Sequence, residues 1–145
     1  MLERYVGNGE GWVDPFAGYN SPAEYTNDLN PNATANQHKE AIVFVNELHS
    51  NLEGALFDPP YSLRQIKECY NGLGSKVPFE CTQQQFTNVK DVLAPKIKLG
   101  GYAISCGWNT NGFGKNRGFA LVEILLVAHG GHHNDTIVTV ERRVP

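Results

Sequence analysis

The sequence has no long hydrophobic run. The longest near its end, Ile124 to Ala128, is far short of the roughly 20 apolar residues that cross a bilayer. The opening MLERYVGNGEGWVD has no apolar core of the kind a secretory leader carries, so a non-membrane, cytoplasmic protein is expected. Cysteine is scarce: Cys69, Cys81 and Cys106 are odd in number and show no CxxC spacing, which argues against a disulfide framework or a zinc ribbon. A surplus of basic charge is missing too. The net charge of −3 speaks against coating nucleic acid non-specifically, a mode that needs many phosphates neutralised at once. Lys90, Lys96, Lys98, Lys115 and Arg117 nevertheless fall within one stretch that holds a single acid, Asp91. Internal repeats and low-complexity tracts are also missing.

What remains is 145 residues with 41% hydrophobic content, enough for one sizeable core, and residues 1–145 are read as one domain. Short apolar runs alternate with helix-compatible stretches, the pattern of an α/β fold with a mostly parallel sheet. Strands are expected at 11–14, 25–29, 54–58, 102–106, 120–128 and 136–141, and helices within 36–51, 63–73 and 82–98. In the first of these helices Ala41, Phe44, Val45 and Leu48 share one face. Thr82 with Gln85 offers a capping box for the third, and Pro95 should end or kink that helix. The connection from His129 to Asp135 is too short for a parallel crossover, so the sheet should close on an antiparallel hairpin.

The strand Gly54 to Asp58 ends in an acid and runs directly into Pro59-Pro60-Tyr61, projecting a carboxylate and a ring from the carboxyl edge, where open α/β sheets bind ligands. The two prolines lack amide hydrogens and keep the backbone stiff beside the Asp58 carboxylate. Rigid acceptors beside a ring suit capture of a planar amine. Asp58 and the Pro59 carbonyl would bind the two hydrogens of an exocyclic base amine and favour a pyramidal nitrogen facing a methyl donor. Tyr61 would stack on the flipped base. S-adenosylmethionine carries a methyl already activated by its sulfonium, so positioning is most of what a protein must add. From these four residues alone, a strand-ending Asp before a Pro-Pro turn is an equal alternative.

Together with its upstream segments, the chain resembles the amino-methyltransferases of nucleic acids, in particular short phage-type adenine-N6 DNA methyltransferases with a DPPY motif. The resemblance places Asp58, Pro59, Pro60 and Tyr61 as the catalytic motif. It makes Asp14-Pro15-Phe16-Ala17-Gly18 the first cofactor motif, Asp28-Leu29-Asn30-Pro31 the second, whose acid holds cofactor hydroxyls, and Glu40 the acid near the cofactor's adenine. It implies a class I methyltransferase sheet, S-adenosylmethionine as cofactor, N6 of adenine in DNA as acceptor, and the cytoplasm of a bacterial or phage-infected cell. N4 of cytosine or an RNA amine is the alternative acceptor, and a methyltransferase-fold module with weak or no activity is the alternative function. Asp14 and Asp28 have an ordinary alternative as a turn former and a loop cap.

Two departures from the family stand out. About ten residues separate the first two strands, the lower limit for a parallel crossover, so the first crossover helix should be shortened or lost. No segment is large enough for a separate target-recognition domain, which leaves sequence choice to short loops, a partner subunit or a second copy. The loops concerned are 71–81 and 108–117, where Trp108, Phe113, Lys115 and Arg117 combine rings for stacking with cations for phosphates; a mobile surface loop with one buried Trp is the alternative. His129, His132, His133 and Asp135 match no zinc spacing, and no metal is expected.

Overall fold

The computed structural model describes residues 2–60, 79–131 and 134–145. Six strands form one sheet: β1 (Trp12–Asp14), β2 (Tyr25–Thr26), β3 (Leu52–Phe57), β4 (Ile97–Gly107), β5 (Phe119–Val127) and β6 (Thr136–Arg143). Their order is β2-β1-β3-β4-β6-β5. β2, β1, β3 and β4 run parallel, while β6 pairs antiparallel with both β4 and β5. The expected α/β architecture and its C-terminal antiparallel hairpin are therefore present. None of the described helices is long and apolar enough to cross a membrane.

The two faces of the sheet are covered unequally. On one face α2 (Ala41–Glu47) and α3 (Phe79–Leu93) bury Phe44, Val45, Val89 and Leu93 against Val13, Ala55, Phe57 and Ala103. On the other, α1 (Leu2–Val6) contributes Val6 to a smaller cluster of Trp12, Leu56, Ile104, Val138 and Val140. Gly54 is required where the Trp12 ring crosses β3, because a Cβ there would lie 2.7 Å from the indole.

Several boundaries differ from the sequence-based expectation, each for a local reason. The helix within 36–51 shrinks to Ala41–Glu47. Asn36 instead exchanges hydrogen bonds with Thr26, and the amide of Gln37 donates to the Thr26 carbonyl. Its inward face, with Phe44 and Val45 buried and Ala41 and Leu48 packed against them, matches the spacing. Strand β2 stops at Thr26 because the Asp28 carboxylate turns the chain by accepting the Asn30 amide. α3 begins at Phe79, which puts Thr82 inside the helix rather than at its N-cap. It ends at Leu93, and Pro95 sits in a 3-10 turn (Ala94–Lys96) that leads straight into β4. β4 consequently starts at Ile97, earlier than expected, and bulges before Tyr102, where Gly100 takes a φ of +80°. The helix expected within 63–73 lies outside the described residues. α1 was not anticipated from the sequence.

Candidate active site at the carboxyl edge of the sheet

Residues 15–24, between β1 and β2, contain no helix, as the short spacing required. Carboxylates do the work of a crossover helix in shaping this loop. Asp14, at the end of β1 and 6% exposed, accepts the Phe16 amide on Oδ1 at 3.1 Å and the Ser21 hydroxyl on Oδ2 at 2.6 Å. Asp28 accepts the Gly18 amide on Oδ2 at 2.9 Å and the Asn30 amide on Oδ1 at 2.9 Å. All four oxygens of the two acids are thereby engaged with the protein itself.

Asn27 is the pivot between them. Its side-chain amide donates to the Pro15 and Lys39 carbonyls, its Oδ1 accepts the Lys39 amide, and its main chain bonds Asp14 and Ala17. A buried amide with this set of partners fixes the loop geometry in a way one helix turn would otherwise do. Burial pushes the Asp14 carboxyl up to about 6, the bonds from Ser21 and Phe16 oppose that rise, and the charges of Asp58 and Asp28 add to it. β1 and β3 pair in parallel, Val13 beside Ala55, so Asp14 and Asp58 follow at the same edge of the sheet.

A cleft opens beside the end of β3. Phe57, Pro59, Pro60, Phe86, Lys90, Ser105, Cys106, Gly107, Trp108, Asn109 and Gly112 line it. Asp58 is exposed and Pro59 and Pro60 are half-buried at this lip, while Tyr61 lies outside the described residues. Phe16 connects the two regions, meeting the rings of Phe57 and Phe86 edge-on at 5.4 and 5.5 Å between centroids.

The far wall of the cleft is held by two ionic groups, one buried and one half-buried. Glu141 on β6, 3% exposed, accepts the amides of Phe113 and Gly114 at 2.6 and 2.9 Å. Gly112 must be glycine here, since a Cβ would lie 2.2 Å from Glu141 Oε2 and its φ is +47°. Lys90 donates to the Gly112 carbonyl at 2.7 Å and lies over the Phe57 ring, and burial holds its ammonium below the usual lysine value. Arg117 ties the same loop to α3 through Asp91 at 2.8 Å and donates to the Phe113 carbonyl.

The sequence-selected residues are thus distributed unevenly. Asp14, Phe16, Ala17, Gly18, Asp28 and Leu29 lie in or beside one loop system next to Asp58, Pro59 and Pro60. Glu40 is exposed at the start of α2 and its side chain makes no capping bond. Trp108 stands exposed on the cleft wall and Lys115 on the surface beyond it. Phe113 is a correction: at 1% exposure it packs between Phe57 and Phe119, so its ring is core and not a platform for a base. His129 bonds Thr136, and its amide donates to Asp135, within the β5–β6 turn; His132 and His133 lie outside the described residues.

Phe86, Lys90 and Ser105 are cleft residues that sequence reasoning missed, as is Glu141, which holds the loop behind the cleft wall. Phe86 and Lys90 sit one turn apart on a helix, and Ser105 is a polar residue in the apolar run Ala103-Ile104-Ser105-Cys106. Those were the available signals.

The sheet order and its terminal antiparallel pair make this a class I methyltransferase fold. TrmN from Thermus thermophilus superposes with a TM-score of 0.65 at 15% identity, over 99% of this chain and 47% of that one. The chain thus spans about half the length of TrmN. The 1,6-didemethyltoxoflavin-N1-methyltransferase of Burkholderia thailandensis, solved with its substrate and S-adenosylhomocysteine, gives 0.62 at 12% identity over 99% of this chain and 75% of that one. An rRNA methylase from Streptococcus thermophilus gives 0.56 at 9% identity, with 92% and 86% covered. At such identities the likeness is one of fold. No protein-family model and no curated protein matches the chain.

Proposed function

We propose that the chain transfers a methyl group from S-adenosylmethionine to the exocyclic amine of a nucleic-acid base, N6 of adenine in DNA being the favoured acceptor. The observation that carries this reading is the meeting of Asp14, Asp28 and Asp58 at one sheet edge, with Asp58-Pro59-Pro60 forming the lip of a cleft. Asp58 and the Pro59 carbonyl accept the two amine hydrogens, which holds the nitrogen lone pair toward the loop after β1. Tyr61 stacks on the base. Trp108 and Lys115 meet the flanking strand, whether DNA or RNA, and a second copy or partner subunit supplies further contacts.

The loop after β1 fits the cofactor in one respect: the side of Gly18 that a Cβ would occupy is open, with no atom within 4 Å. Each Asp28 oxygen accepts one bond and has a second lone pair left for a ribose hydroxyl. When bound there, S-adenosylmethionine supplies an activated sulfonium methyl. The cleft volume of about 180 Å³ is below the roughly 300–1,000 Å³ of pockets for larger ligands, so it suits one planar base while the cofactor lies over the neighbouring loop.

The engagement of all four Asp14 and Asp28 oxygens favours a second reading, a methyltransferase-fold binding module with weak cofactor affinity. Incubation with radiolabelled cofactor and separate DNA and RNA, followed by nucleoside analysis, decides between them. Labelled N6-methyldeoxyadenosine supports the favoured acceptor, N6-methyladenosine moves the assignment to RNA and N4-methylcytosine or its deoxy form to cytosine, and no labelled product together with no heat on cofactor titration leaves only the binding module.

A further inference from the structure

Ser105 is 6% exposed, lines the cleft, and has a buried hydroxyl with no hydrogen-bond partner. Among the described residues it is the one buried side-chain polar atom in that condition. Leaving a buried hydroxyl unbonded costs free energy, and such groups in folded proteins call for an explanation. Its position supplies one. Ser105 is the register partner of Phe57, the residue before Asp58, so the hydroxyl lies one strand over from the amine-binding lip. Its other strand neighbour, Thr139, uses its own hydroxyl on the Ser105 carbonyl and leaves the Ser105 side chain unanswered. The surrounding polar groups are committed elsewhere: Lys90 to the Gly112 carbonyl and Glu141 to the amides of Phe113 and Gly114.

We infer that Ser105 is a specificity-determining residue whose hydroxyl donates to a ring nitrogen flanking the amine of the captured base. This rests on the amine-capture reading of Asp58 and Pro59. An exocyclic amine on adenine is flanked by the ring acceptors N1 and N7, and a donor at either position distinguishes a ring nitrogen from a C–H. The amine would then be gripped by two acceptors and the ring edge by one donor, a set that no C–H at that position satisfies.

The test compares wild type with Ser105→Ala on single-stranded oligodeoxynucleotides holding one adenine, one 1-deazaadenine or one 7-deazaadenine, read by fluorescence anisotropy. Wild type should lose affinity by about 3- to 10-fold on one of the two deaza probes, the scale of a single neutral hydrogen bond. Ser105→Ala should show the same loss on adenine and no additional loss on that deaza probe. In methyl-transfer assays its KM should rise while kcat stays within about twofold. Thermal unfolding separates recognition from structure: removing an unbonded buried hydroxyl should leave the melting temperature equal or higher.

Equal affinity of Ser105→Ala and wild type for adenine overturns the inference, and so does a loss that persists on both deaza probes. A melting temperature that falls with affinity overturns it as well, because the hydroxyl would then be structural. The two readings fail separately. Wild type that binds adenine through Ser105 but yields no labelled base keeps the contact and sinks methyl transfer, whereas active wild type matched in KM by Ser105→Ala sinks the contact alone. Wild type that binds none of the probes ends both.

Discussion

The loop after β1 and the cleft beside β3 are neighbours built on opposite terms. In the loop every carboxylate oxygen of Asp14 and Asp28 already holds a donor from the protein. In the cleft Ser105 is buried with its hydroxyl unbonded. A region whose polar groups satisfy one another is defined by its own sequence, and mutating it should first disturb the fold. A region with an unmet polar group has bonding capacity for a ligand, and mutating it should first disturb binding. The contrast makes variants on the two sides behave differently, beginning with the largest effects.

At the lip of the cleft, Asp58→Ala should lower methyl transfer by roughly 10²- to 10³-fold, the usual scale for removing a positioned polar group that acts at the reacting centre. Asp58 is exposed at a strand end, so stability should change by no more than about 0.5 kcal/mol. Single-turnover kinetics alongside thermal unfolding check both halves; retained transfer removes Asp58 from its role. Glu141→Ala is the complementary case, a buried residue behind the cleft wall that behaves as structure. It strips two amides of a charged acceptor, which costs about 2–4 kcal/mol and on the order of 5–15 °C in melting temperature. Glu141→Gln, which keeps one acceptor, should fall between. If Glu141→Ala melts like wild type, the cleft wall does not depend on that carboxylate.

Much of this contrast was legible in the sequence, but unevenly. The parallel sheet, the closing hairpin and the missing first helix follow from strand spacing, because a chain of about ten residues between parallel strands has little room for a helix. The grouping of Asp14, Asp28 and Asp58 followed from their places at strand ends. What could not be read was long-range in origin. Glu141 holds the Phe113 amide across 28 positions of sequence, and Phe113 is buried because Phe57 and Phe119 enclose it. No local pattern distinguishes such a ring from one offered to a base. The helix at 36–51 was overestimated because Asn36 and Gln37 are drawn into pairing with β2, a tertiary claim that outweighs local periodicity.

On the loop side, Asp28→Ala should release the amides of Gly18 and Asn30 together. Cofactor affinity by calorimetric titration should fall about tenfold, equivalent to about 1.4 kcal/mol, accompanied by a melting temperature lower by several degrees. Unchanged affinity with lowered stability would make Asp28 a loop builder only, and would strengthen the binding-module reading.

An effect of similar size is the most specific to this loop, because it carries a pH signature. The Asp14 carboxyl stands at about 6 in the folded chain, raised chiefly by burial from an ordinary value of 3.8. Between roughly pH 4 and 6 the folded state therefore binds more protons than the unfolded chain, and stability falls as pH rises through that window, then levels off. Asp14→Asn removes the ionisation while its amide oxygen still accepts from Phe16 and its amide nitrogen donates to the Ser21 oxygen. At pH 8 the variant should be more stable by about 1–2 kcal/mol, or about 3–6 °C, a discounted share of what the shift allows. Near pH 4 the advantage should vanish, because wild-type Asp14 is then protonated in the folded state. Thermal unfolding of both proteins across pH 4–8 reads the difference directly. A gap independent of pH would show that Asp14 does not titrate in the fold, and Ser105→Ala, with no ionisable group to lose, provides the flat reference.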